Sequence, residues 1–283
     1  MDIVKSKEQV AEIWQDLKTS KLSIGLVPTM GALHEGHLSL IKQALFENSK
    51  VFVSIFVNPT QFDNIKDLDT YPRTLDRDIS LLETVSKDNI IVYAPTVDDI
   101  YGSKVESVDF NFEGLEKEME GEFRDGHFDG VGTVVKRFFE IVKPDNAYFG
   151  EKDFQQLQII RKLVEKQNIP VNIVGCDIYR ELTGLAMSSR NERLTPEHKN
   201  EAPFIYKILK SAKEKFGTKS AKKVTEWVDK QFAKNDLLKL EYFTIADVET
   251  LKPIKRKSKK KKYRAFIAVY AGDVRLIDNI ALN

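Results

Sequence analysis

The sequence predicts an α/β fold: a doubly wound, mostly parallel sheet domain followed by a smaller α+β C-terminal domain. Three observations predict it. Short apolar runs alternate with segments of helical periodicity up to about residue 180. One run, Val51-Phe52-Val53-Ser54-Ile55-Phe56-Val57, is almost wholly apolar, as a strand buried on both faces of a parallel sheet must be. After about Arg180 the order changes, and two charged helical segments precede a few strand-like runs.

The elements follow in order. Ser6-Lys7-Glu8-Gln9 reads as a capping box, with the serine capping a helix start and Gln9 reaching back. Val10, Ile13, Trp14 and Leu17 continue that helix at the right spacing. Leu22–Val27 is a strand, Pro28–His37 a glycine-containing loop, and Leu38–Phe46 an amphipathic helix. The apolar strand Val51–Val57 ends at the loop Asn58-Pro59-Thr60-Gln61-Phe62. A helix spans about Leu75 to Val85 and a strand Ile90–Ala94. Val131, Val134, Val135, Phe138 and Ile141 mark a helix that stops near Pro144. Asn146–Phe149 is a strand, Phe154–Val164 a helix and Val171–Val174 a strand. Ligands of such sheets bind outside the carboxyl ends of the strands. The loops after Val27, Val57 and Phe149 would all open on that edge. Charged helices at about Pro196–Phe216 and Ser220–Phe232 come next, then strands Leu240–Ile245 and Ala265–Tyr270.

Composition narrows the class. Of 283 residues, 42% are apolar, enough for a real core. The formal net charge of +1 points to neither a nucleic-acid binder nor an acidic tail. The single cysteine, Cys176, rules out an intrachain disulfide and a cysteine-based zinc site. The first residues are polar, so no signal peptide is visible, and no apolar run approaches the ~18–20 residues of a membrane span. A cytoplasmic location is expected.

The most informative stretch is Pro28-Thr29-Met30-Gly31-Ala32-Leu33-His34-Glu35-Gly36-His37. It joins a strand to a helix whose opening turn carries two histidines three apart, so both rings can face one ligand. A helix N-terminus offers backbone N–H groups and partial positive charge, which suits phosphate. Gly31 and Gly36 let phosphate approach the backbone closely. A histidine can donate to phosphate oxygens or to departing pyrophosphate. Alone, this stretch supports cleavage of ATP between the α- and β-phosphates and no specific substrate.

His34-Glu35-Gly36-His37 matches the His-x-Gly-His motif of the nucleotidylyltransferase superfamily. The longer string resembles one family within it, the pantoate–β-alanine ligases, also called pantothenate synthetases. The resemblance continues through Val57–Phe62, Tyr71-Pro72-Arg73-Thr74 and Gly126-His127-Phe128-Asp129-Gly130-Val131. It extends to Phe149–Gln156, Gly184–Asn191 and Arg275-Leu276-Ile277-Asp278-Asn279. It implies ATP-dependent condensation of pantoate with β-alanine through a pantoyl adenylate, releasing pyrophosphate and AMP, with magnesium as cofactor. Neither step needs a covalent enzyme nucleophile.

The resemblance also implies roles. A Rossmann-like nucleotide- and pantoate-binding domain would span residues 1–180, and the domain at 181–283 would cover the site. Met30, Gly31, His34, Gly36 and His37 would line the ATP site, with His37 at the family's proton-donor position and His34 beside it. Gln61 and Gln156 would bind pantoate, Gln61 also lying near β-alanine; an amide can donate to a carboxylate and accept from a hydroxyl. Gly150, Glu151, Lys152 and Asp153 would contact ATP, Lys152 neutralising phosphate charge. Gln156 would stand one helical turn past Lys152. Ser188, Ser189 and Arg190, with Met187, would form a polar, cationic phosphate loop, and Tyr179 would present backbone atoms to adenine. Asp78 is the candidate magnesium carboxylate, with Asp76 equally plausible on chemistry. Arg124 and His127 would border the site. A homodimer is implied by the resemblance alone.

Two departures stand out. The family often has Asp-Gly where this chain has Thr183-Gly184, which puts a local turn in question. The run Lys255–Lys262, seven basic residues in eight, is not associated with the family. It fits a solvated hairpin tip, and no interleaved aromatics support base stacking. A different nucleotidylyltransferase of the same fold, or a nucleic-acid-binding protein using the lysine run, are the competing readings.

Overall fold

Alternating strands and helices build the first of two units in the computed structural model, which describes residues 1–62, 65–124 and 126–283. That unit comprises Met1–Glu151 and Gln155–Asp177; the second comprises Lys152–Phe154 and Ile178–Asn283. In chain order the first holds β1 (Asp2–Val4), α1 (Lys7–Thr19), β2 (Ile24–Thr29), α2 (Glu35–Glu47), β3 (Lys50–Ile55), α3 (Ile65–Thr70) and α4 (Leu75–Glu83). It continues with β4 (Ile90–Tyr93), α5 (Val97–Tyr101), α6 (Glu120–Phe123), α7 (His127–Val142), β5 (Asn146–Gly150), α8 (Phe154–Gln167) and β6 (Asn172–Cys176). The expected capping box opens α1, Ser6 accepting from Gln9 N.

The six strands lie in the order β1-β4-β3-β2-β5-β6, all neighbours parallel. Chain order reverses between β2 and β5, the switch point where ligands enter such sheets. β2 pairs with β3 as far as Thr29 but with β5 only as far as Leu26. The ladders therefore part at the carboxyl end, where the histidine loop emerges.

Both faces of the sheet are covered, which explains the unbroken apolar run of β3. Val27, Val51 and Val53 pack with Leu38 and Ile41 of α2 and Leu82 of α4. On the other face Phe138 of α7 meets Phe56 and Tyr93 edge-on, each at 6.1 Å. Each such side chain, fully buried, contributes roughly 1.5–3 kcal/mol.

The second unit holds α9 (Pro196–Glu201), α10 (Phe204–Thr218), α11 (Ala221–Phe232), β7 (Leu238–Asp247), β8 (Tyr263–Ala271) and β9 (Val274–Ala281). The strands form an antiparallel sheet in the order β7-β8-β9. Tyr263, Ala265, Ile267 and Val269 of β8 join Ile205, Leu209, Val224 and Val228 in its core. The helix expected over Pro196–Phe216 is broken in two before Phe204, because Pro203 supplies no N–H to continue the first segment. β9 was not expected as a strand: Asp278 puts a charge on its buried face, while Arg275 keeps to the more exposed one. Each is neutralised from afar, Arg275 by Glu241 at 2.6 Å and Asp278 by Arg180 at 2.6 Å. Among the described residues no helix is long and apolar enough to cross a membrane.

Candidate active site

The loop after β2 turns through two residues in left-handed backbone, Gly31 (φ 82°) and Ala32 (φ 49°). Gly31 takes that conformation without cost; Ala32 does not. Internal bonds hold it. Thr29 Oγ1 accepts from Gly31 N at 3.2 Å while donating to Ser54 O at 2.7 Å. The carboxylate of Asp78, on α4, accepts from Ala32 N at 3.0 Å and Leu33 N at 2.8 Å. Thr74 Oγ1 adds a contact of 3.3 Å to each oxygen. Asp78 is wholly buried, whereas Asp76, in the same helical turn, is exposed.

His34 then caps α2 in extended conformation, and Gly36 is buried in the first turn. The His34 and His37 rings stack at 4.0 Å between centroids with planes 28° apart. His34 N donates to His37 Nδ1 at 3.3 Å. An accepting Nδ1 assigns the proton of the neutral ring to Nε2. His37 is thereby set as an Nε2–H donor at a helix N-terminus, where the dipole favours an anion.

The loop after β3 makes a short 3-10 turn, Pro59–Gln61. Gln61 Oε1 accepts from Asn58 Nδ2 at 3.2 Å, and its Nε2 points at Met30 Sδ. One predicted pantoate contact and one predicted ATP contact are thus adjacent. The turn is seated on the start of α7. Gln61 O accepts from His127 Nδ1 at 2.8 Å and Arg124 Nη2 at 3.3 Å. A second Arg124 nitrogen lies 3.2 Å from His127 Nε2. A guanidinium only donates, so Nε2 accepts and Nδ1 carries the proton. Gly130 closes the seat: a Cβ there would come within 2.2 Å of Thr60 O. Arg124 and His127 therefore act on the backbone of Gln61. Asn58, which ties Gln61 Oε1 to Gly130 O at 3.2 Å, had no assigned role although it lies within the Val57–Phe62 motif.

β5 ends at Gly150, and Glu151–Asp153 form a 3-10 turn before α8 begins at Phe154. This corrects one expectation. Lys152 and Gln156 do not share one α-helical register, because the α-helix starts between them. Gln156 is half-buried on α8; its neighbour Gln155 is buried and donates to Leu115 O and Glu118 O. Lys152, Asp153 and Phe154 belong to the second unit. Asn279 Nδ2 donates to Lys152 O at 2.9 Å, and the Arg264 guanidinium lies 4.0 Å over the Phe154 ring. Lys152 Nζ is 3.6 Å from Asp153 Oδ1. Asn279 lies in a quoted motif, and its task was not readable there.

In the second unit Tyr179 to Met187 forms a tight turn-back. Met187 N bonds Tyr179 O at 3.0 Å, and Glu181 N bonds Leu185 O at 2.9 Å. Gly184, at φ 96°, donates to Glu181 O at 2.8 Å, so the turn closes with Thr183 in place of aspartate. Arg180 anchors it, bonding both Asp278 oxygens at 2.6 and 2.9 Å and stacking 3.7 Å over Tyr206. Ser188 caps the 3-10 turn Ser189–Arg193, Oγ accepting from Arg190 N at 3.3 Å. Asn191 braces the segment through Glu181 Oε1 and Ala186 O.

Cys176 ends β6, buried, and burial first and the nearby Glu47 and Asp177 charges next push its thiol up to about 12. It is no nucleophile at neutral pH. The lysine run joins β7 to β8. Lys257 is tied to Phe216, ammonium 3.8 Å over the ring, and Lys261 to Asp247 at 2.9 Å. Among the described residues no cluster of three or more His, Cys, Asp or Glu is arranged to hold a metal ion.

Comparison with known proteins accords with this geometry. The family model described as pantoate-beta-alanine ligase matches residues 2–281. The chain is 60% identical over 283 residues to a pantothenate synthetase of Christiangramia forsetii, covering 100% of both. It is 59% identical over 268 residues to that of Flavobacterium psychrophilum, covering 95% of this chain and 93% of the relative. Among solved structures, a pantothenate synthetase from Thermus thermophilus aligns with a TM-score of 0.89 at 38% identity, covering 100% and 99% of the two chains. A pantoate-beta-alanine ligase from Francisella tularensis, complexed with beta-gamma ATP and beta-alanine, aligns with a TM-score of 0.79 at 37% identity, covering 100% and 98%.

Proposed function

The chain belongs to the pantoate–β-alanine ligase family, and from that premise we propose how its residues perform the condensation. The ATP α-phosphorus lies over the His34–His37 turn at the switch point of the sheet. Pantoate, held through the Gln61 and Gln156 amides, attacks it with its carboxylate oxygen. A P–O bond forms to pantoate as the bond to the β-phosphate bridge oxygen breaks, giving pantoyl adenylate and pyrophosphate. His37 Nε2–H and Lys152 hold the charge that develops on the leaving group. The β-alanine amine then attacks the acyl carbon, releasing AMP and, after loss of a proton, pantothenate.

Catalysis of this kind rests on positioning and charge stabilisation. The remaining ATP contacts are Met30, Gly31, Gly36, Gly150, Glu151, Asp153, Tyr179, Met187, Ser188, Ser189 and Arg190. Magnesium would be carried mainly by phosphate oxygens and water. Asp78 does not fit it, because both its oxygens already accept internal N–H groups. On the resemblance we take the enzyme to be a cytoplasmic homodimer.

The observation that carries this reading is the bond from His34 N to His37 Nδ1, which leaves a donor on Nε2. The test is pyrophosphate exchange. Labelled pyrophosphate should enter ATP when pantoate is present, without β-alanine. Exchange that ignores pantoate, or that requires a nucleotide or phosphopantetheine acceptor, overturns the assignment.

A further inference from the structure

We infer that Asp78 is a positioning residue, the internal anion that shapes the nucleotide loop, and that it is not a magnesium ligand. The inference rests on the ATP reading of that loop. Consecutive N–H groups in a left-handed turn form a concavity that binds anions. Here the N–H groups of Ala32 and Leu33 converge on one carboxylate, Asp78, at 3.0 and 2.8 Å. The anion is supplied by the protein, so these two N–H groups serve the loop and not the nucleotide.

Three further facts point the same way. Asp78 is 0% exposed, and a hydrated magnesium–ATP complex needs an accessible oxygen. Thr74 Oγ1 lies 3.3 Å from each oxygen, and Asp78 N bonds Thr74 O at 2.9 Å, so the carboxylate is itself locked from behind. A Cβ on Gly31 would lie 3.0 Å from Asp78 Oδ2, so loop and carboxylate are already in contact. Leu33 is the residue before His34. Fixing its N–H fixes where α2 begins, and with it the stack of the two histidines. Asp78 thereby sets the geometry of His34 and His37 while touching neither substrate nor metal.

The test compares the parent enzyme with Asp78→Asn, which keeps the size but replaces one acceptor by an NH2 group facing an N–H. Pantoate-dependent pyrophosphate exchange is measured against ATP and, separately, against magnesium. A displaced loop should lower kcat/KM for ATP roughly 10- to 100-fold. The KM for pantoate and the half-saturating magnesium concentration should stay within twofold of the parent. Activity restored by excess magnesium, or an unchanged kcat/KM for ATP, overturns the inference. If Asp78→Asn does not fold, Thr74→Val decides. A loss of threefold or more in kcat/KM for ATP at unchanged magnesium dependence supports it, and parental activity or a raised magnesium requirement overturns it. Failure of the parent itself to show pantoate-dependent exchange would sink the ligase reading instead, a result distinguishable from either variant's.

Discussion

Replacing His37 separates two tasks of one ring, a loop bond that the structure shows and a donor role that we propose. Its Nδ1 accepts from His34 N at 3.3 Å and so stabilises the loop; its Nε2–H is the donor proposed for departing pyrophosphate. His37→Ala removes both. The lost loop bond is worth about 0.5–1.5 kcal/mol, a fall in Tm of a few degrees in a chain of this size. The lost donor to developing charge is worth roughly 100- to 1000-fold in rate. The two amides divide these effects. An asparagine oxygen reaches the place of Nδ1, and a glutamine NH2 reaches the place of Nε2. His37→Asn should therefore recover the Tm and not the rate; His37→Gln should recover about tenfold of the rate over alanine with little gain in Tm. Pyrophosphate exchange at saturating pantoate and a thermal melt read the two separately. An asparagine variant faster than the glutamine one, or an alanine variant within tenfold of the parent, would refute the assignment of Nε2 as the donor.

Gly130→Ala would push a Cβ to within 2.2 Å of Thr60 O and 2.9 Å of Gln61 Cα. We expect a raised KM for pantoate, at least tenfold, and a lower Tm; a parental KM would show that the seat of Gln61 on α7 is not needed. Cys176, with its thiol pushed up to about 12, should resist a neutral-pH thiol reagent until the protein unfolds, and Cys176→Ser should keep its exchange activity. Rapid labelling of the folded protein would contradict this. Burial opposes the charge of Asp247, but the Lys261 ammonium and the N–H groups of Thr250 and Glu249 outweigh it and hold its carboxyl below the ordinary 3.8. A depressed carboxyl stabilises the fold above its unfolded value and loses that contribution as pH falls through the folded one. The parent should thus melt higher than Asp247→Asn near neutrality, and the gap should close in acid; a gap independent of pH would exclude the charge as its cause.

Much of the first unit was legible because its signals are local. The capping box at Ser6, the unbroken run of β3 and the His-x-Gly-His turn each occupy adjacent residues. The pattern that hid β9 was a charge on its buried face, Asp278, whose partner Arg180 lies elsewhere in the chain. Composition likewise said nothing of the break at Pro203 within a continuous helical periodicity, although proline itself is the cause. The spacing from Lys152 to Gln156 misled because a 3-10 turn and an α-helix follow one another without a sequence mark.

The sequence by itself determined the α/β class, the motif order and the family. Those follow from periodicity and from contiguous strings of residues. Only the tertiary structure decided which groups hold the site in shape. Asp78 reaches Ala32 across 46 residues, His127 reaches Gln61 across 66, and Asn279 reaches Lys152 across 127. Such contacts leave no periodic trace, because they join residues far apart in the chain that only the folded structure brings together. The same reason places the Asp78 carboxylate, expected from the sequence as a magnesium ligand, under the N–H groups of Ala32 and Leu33.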